Sequence, residues 1–117
     1  MTLLSGGPFF LPGYSTVQHV NPRTGEITPL IGGLSTAIDV VPFGNRCRED
    51  GFLTLEFSLT FPTPGPGRLQ YFQNADGTPV VLADCLTTSS SMVFDRRGDR
   101  VVIAELGTGR LVTLDAR

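Results

Sequence analysis

Apolar residues along this chain come in short runs rich in Val, Ile, Leu and Phe, and none recurs at helical spacing. Each run is bounded by Gly, Pro, Asn or Asp, the punctuation of strands and turns. The pattern predicts nine strands: Thr16–Val20, Glu26–Leu30, Ala37–Val41, Phe52–Phe57, Arg68–Gln73, Thr78–Ala83, Ser91–Phe94, Arg100–Glu105 and Arg110–Asp115. Connections are short except for two longer loops, Pro42–Gly51 and Ser58–Gly67. Asn21-Pro22-Arg23-Thr24-Gly25, Asn74-Ala75-Asp76-Gly77 and Arg96-Arg97-Gly98-Asp99 each supply an Asn, Asp or Gly suited to a tight turn, so each reads as the tip of a hairpin in a meander.

The strands repeat. Gly67-Arg68-Leu69 lies over Gly109-Arg110-Leu111, and Phe52–Phe57 lies over Val101–Leu106 with Glu56 and Glu105 closing the two strands. Upstream, Ile38-Asp39-Val40 is placed over Met92-Val93-Phe94, so that Gly44 meets Gly98. Val17 through Leu34 lies over Leu69 through Leu86 without a gap. Numbering the strands of one unit from one to four, the chain reads 3–4, then 1–2–3–4, then 1–2–3. A unit of roughly fifty residues suits a four-stranded propeller blade. The expectation is an all-β fold of four-stranded antiparallel propeller-blade repeats, about two blades per chain, with blade parts at 14–36, 37–84 and 91–115. A plain β-sandwich without repeat symmetry is the alternative.

Asp50-Gly51-Phe52-Leu53 with Glu56-Phe57, then Gly65-Pro66-Gly67-Arg68-Leu69, then Asp76-Gly77 with Ala83-Asp84, resemble the ScyD/ScyE family, relatives of the six-bladed NHL propellers. The resemblance covers about residues 15–115 and implies a fold more than a reaction. A six-bladed ring needs about 24 strands, and an isolated two-blade wedge would expose sheet flanks and unpaired edges. Two resolutions follow: a homo-oligomer, with three chains giving six blades, or a fragment of a longer propeller. In the first, an N-terminal strand would complete the last blade of a neighbour, although nine strands leave one over.

Composition narrows the functions. Nine basic and eleven acidic residues give a net charge of −2, without the basic stripe that nucleic acid requires. No apolar run is long enough to span a bilayer. The N-terminus lacks the basic region of a signal peptide, so the chain as given reads as cytoplasmic, and a trimmed secreted chain would read the same.

The candidate ligand-binding residues are Glu56, Glu105 and Asp39. Glu56 and Glu105 close the second strand of successive blades, where a ring would gather them into an acidic crown for a divalent cation or a polyhydroxylated ligand. The competing reading is a solvated strand end, or a salt bridge to Arg68 and Arg110. Asp39 would face the channel or cap a turn. His19 has no nucleophile partner, and the hydroxyls of Thr87-Thr88-Ser89-Ser90-Ser91 satisfy a loop or bind a sugar or anion. Arg96, Arg97, Asp99 and Arg100 form a solvated tip. Cys47 and Cys85 fall at opposite ends of a blade and read as free thiols. Phe9 and Phe10 read as a plug, a subunit contact or a frayed end.

The resulting expectation is a ligand-binding or scaffold module completed by self-association, with no defined catalysis and no required cofactor. A metal-dependent lactonase- or hydrolase-like propeller is the alternative.

Overall fold

A computed structural model describes residues 2–5, 12–45, 48–59, 65–73, 78–97 and 99–115. The described residues form ten strands: β1 (Thr2–Ser5), β2 (Ser15–Val20), β3 (Ile27–Leu34), β4 (Ala37–Asn45), β5 (Arg48–Glu56), β6 (Pro66–Phe72), β7 (Val80–Thr87), β8 (Ser89–Asp95), β9 (Arg100–Glu105) and β10 (Arg110–Asp115). They make three antiparallel sheets: a first sheet β1-β2-β3, a middle sheet β4-β5-β6-β7 and a last sheet β8-β9-β10. All nine sequence-predicted strands are present. The tenth, β1, lies on the first sheet with Leu4 opposite Val17, and it is too short to leave a periodic signal. The expected loop Pro42–Gly51 is instead hairpin: β4 runs on to Asn45 and β5 starts at Arg48, with Pro42 opposite Phe52 and Phe43 opposite Gly51. Proline at 42 is tolerated because β4 is an edge strand of its sheet.

The repeat holds in the pairing register. In the first sheet Ser15 faces Leu34, Val17 faces Ile31 and Gln18 faces Pro29. In the middle sheet Gly67 faces Leu86, Leu69 faces Ala83 and Gln70 faces Val81, the same pairs fifty-two positions on. The irregularities coincide as well, falling on either side of Val17 in one sheet and of Leu69 in the other. Likewise Ala37 faces Glu56 and Asp39 faces Leu55, as Ser89 faces Glu105 and Ser91 faces Ala104, with one bulge at the same place. Asp39 therefore corresponds to Ser91, and Val40 to Met92. The sequence alignment is two residues out here. It equated turn glycines, whereas the β4–β5 hairpin is longer than β8–β9.

The middle sheet is packed on both faces. Between it and the first sheet lie Val17, Ile31, Leu34 and Phe72, with Val40 and Phe52 against them. On its other face Leu53, Leu55, Leu69 and Leu86 meet Met92, Val101 and Ile103 of the last sheet. Alternation of side chains across each strand makes this two-sided packing possible. Phe43 adds edge-to-face contacts to Tyr71 and Phe94, with centroids 5.6 Å and 5.1 Å away. Each sheet thus has a leading face, toward the sheet that follows, and a trailing face, toward the one before.

Candidate functional site

Glu56 and Glu105 occupy equivalent positions at the end of the second strand of their sheets, on the trailing face, and both are buried. A buried carboxylate needs charge-assisted partners, and each has them. Glu56 Oε2 accepts the backbone N–H of Ser35 at 2.6 Å, and its two oxygens accept Arg68 Nε at 2.7 Å and Nη2 at 3.2 Å. Glu105 Oε2 accepts the backbone N–H of Thr87 at 2.6 Å, while Oε1 accepts Arg110 Nη2 and Thr108 Oγ1, each at 3.1 Å. Ser35 and Thr87 both sit where the chain crosses from one sheet to the next. Each glutamate therefore ties the strand end of its own sheet to the crossing that brought the chain there. The salt bridges expected to Arg68 and Arg110 are present, and these strand ends are not solvated.

The crossings themselves are alike. Thr36 and Thr88, one residue after the tied N–H, both take a positive φ, 48° and 44°. That conformation is unfavourable for a β-branched residue. Their carbonyls accept the N–H of Phe57 and Leu106, the residues following the two glutamates, at 3.0 Å and 2.9 Å. Thr88 Oγ1 also accepts Gly107 N at 2.6 Å. Each crossing is thus held by a side-chain carboxylate and a backbone bond from the same strand end.

The acidity of Glu105 follows from this cage. The N–H of Thr87 is the largest influence and lowers its pKa below the ordinary 4.5; burial pushes the other way, and Thr108 and Arg110 lower it further.

Asp39 has a different task. Its Oδ1 accepts the following N–H, of Val40, at 2.9 Å, and its Oδ2 accepts Met92 N across the sheet boundary at 2.9 Å. It links β4 to β8, the first strands of adjacent sheets. The three candidate carboxylates are therefore not brought to one point: Glu56 and Glu105 stand at successive junctions, and Asp39 bridges two edge strands. Among the described residues no group of three or more His, Cys, Asp or Glu is placed to hold a metal ion.

The remaining candidates fall out simply. His19 is exposed on β2 opposite Thr28. The hydroxyl run satisfies its surroundings: Ser89 Oγ donates to the Glu56 carbonyl at 3.3 Å and Ser90 Oγ to that of Ala104 at 3.4 Å. Arg96 and Arg97 are exposed, and Asp95 caps this turn through Arg97 N and Arg100 Nε. Cys85 is an exposed free thiol. Cys47, Phe9, Phe10 and the turn 74–77 lie outside the described residues. No helix among the described residues is long and apolar enough to cross a membrane.

Sequence reasoning singled out both glutamates and their arginines but missed what they hold, the N–H groups of Ser35 and Thr87. A signal was present: the gapless alignment of Leu34 with Leu86 continues into Ser35-Thr36 and Thr87-Thr88, two hydroxyl residues in each copy.

In comparisons with known proteins, no family model, no curated protein and no solved structure matches the chain.

Proposed function

We propose that the chain is a propeller-type scaffold or ligand-binding module that is completed by self-association and carries no defined catalysis. One observation supports this most: the same pairing register, bulges and glutamate–arginine–crossing tie recur at both sheet-to-sheet junctions, as blades succeeding one another in a ring would require. In this reading the buried glutamates are structural, and a ligand would meet the ring at the end where the crossings lie. A chain with three sheets would reach six with two copies. The three-copy ring expected from two blades per chain would need neighbouring copies to share terminal strands.

The test is absolute mass in solution across a wide concentration range. A species that settles at a fixed multiple of 12.6 kDa is the expected result. A series that grows without limit would remove the closed ring, and a 12.6 kDa monomer throughout would overturn the proposal.

A further inference from the structure

The outward, leading face of the last sheet carries Val93, Val102, Ala104 and Leu111, brought side by side by the pairs Val93–Val102 and Ala104–Leu111. Val93 is 60% exposed and Leu111 73%. By the register of the repeat these four positions correspond to Val41, Leu53, Leu55 and Leu69 of the middle sheet. There the three leucines are buried and Val41 packs against them, all covered by the last sheet. At one end this apolar patch meets the Asp95–Arg100 ion pair, the next pair on the same face.

What covers such a face is shown twice within the chain: the trailing face of a sheet of the same unit. One trailing face has no sheet before it among the described residues. It belongs to the first sheet and presents Thr16, Gln18, Val20 and Ile27, the last 52% exposed. Gln18 corresponds to Gln70, which is buried and shares a face of β6 with Phe72, a member of the layer between the first and middle sheets. This open face also differs in a way that suits a surface between chains. Thr16 stands where the middle and last sheets have Arg68 and Arg110, and Ser5 pairs with it where they have Glu56 and Glu105.

The geometry points to a second copy of this chain as the occupant, docked head to tail: the Val93/Val102/Ala104/Leu111 face of one copy against the Thr16/Gln18/Val20/Ile27 face of the next. The inference rests on the self-assembly reading and adds which surfaces meet. The interface is heterologous, so it closes into a ring or extends as a stack according to the rotation per copy. Without the carboxylate tie it is weaker than the two junctions inside the chain, and assembly depends on concentration.

The experiment blocks each surface separately with a charge. Leu111→Arg disables the head and Ile27→Arg the tail; both residues are exposed, and thermal melts confirm that each variant folds. Light scattering is then run on wild type, on each variant and on their equimolar mixture. The expected result is that wild type associates, each variant alone is a 12.6 kDa monomer, and the mixture regains a dimer through its one intact head–tail pair. Folded variants that still associate would overturn the assigned surfaces while leaving self-association standing. A mixture that stays monomeric would overturn the head-to-tail arrangement. A wild type monomeric at every concentration would overturn both this inference and the self-assembly reading, and would leave the face to a different partner.

Discussion

Glu56 is fully buried, and its carboxylate holds both Arg68 and the Ser35 N–H. Glu56→Ala therefore strands a guanidinium and a backbone donor together, at a cost of about 2–4 kcal/mol given the partial exposure of Arg68. Glu56→Gln keeps an acceptor for Ser35 and is expected to lose less; urea midpoints at constant slope check the order. Glu105 adds a pH dependence. Its folded-state pKa is below 4.5, so as pH falls the unfolded chain takes up the proton first. Its stabilisation is complete above 4.5 and is lost as pH drops through the lowered folded value. The acid limb of the melting temperature against pH should flatten in Glu105→Gln. A third expectation comes from the bulge in the fourth strand of the unit, where Gly33 at φ 74° corresponds to Cys85 at φ 56°. Cys85→Gly relieves a left-handed non-glycine residue and should stabilise by about 0.5–1 kcal/mol, whereas Gly33→Ala should destabilise by about 1 kcal/mol. Denaturant titration of both variants reads the opposite signs. At this scale the sequence revealed which carboxylates matter, because glutamate at a strand end beside a downstream Gly-Arg-Leu is conspicuous. It did not reveal their partners, because a backbone N–H has no letter of its own.

Strands and turns follow from local chemistry, and so they were the most legible layer. Asn21 illustrates why: its side chain accepts Arg23 N and its backbone exchanges bonds with Gly25 and Glu26, as an Asn–Gly hairpin predicts. The β4–β5 hairpin was misread because Pro42 and Gly44 look like loop residues when edge position is unknown. Which sheet packs on which face was not legible, since alternation marks two faces without naming their neighbours. The junction elements lead to a further prediction. Gly67 lies so close to the next crossing that an added Cβ would stand 2.5 Å from the Glu56 carbonyl oxygen and 2.9 Å from Ser89 Oγ. Gly67→Ala should cost about 1–3 kcal/mol. In the preceding sheet the equivalent residue is Ser15, whose hydroxyl accepts Ala37 N at 3.1 Å. The hydroxyl changes sides between the two junctions, so Gly67→Ala combined with Ser89→Ala should recover part of the loss in a double-mutant cycle. Asp39 couples β4 to β8, and its removal in Asp39→Ala should accelerate hydrogen exchange at the Met92 amide more than at Ile103 on β9.

Across the whole molecule, three sheets of one unit stand face to face around two apolar layers. The two glutamate ties point the same way: each fastens a crossing earlier in the chain, twenty-one residues back at the first junction and eighteen at the second. This direction has a consequence for how the protein is made. Chains emerge from the ribosome N-terminus first. When Glu56 leaves the exit tunnel, the group that holds the Ser35 crossing becomes available, while the crossing at Thr87 is not yet outside the tunnel. A nascent chain halted just short of Glu105 lacks the carboxylate that holds its second crossing. At both junctions, then, the group that locks a crossing is made after the crossing it locks.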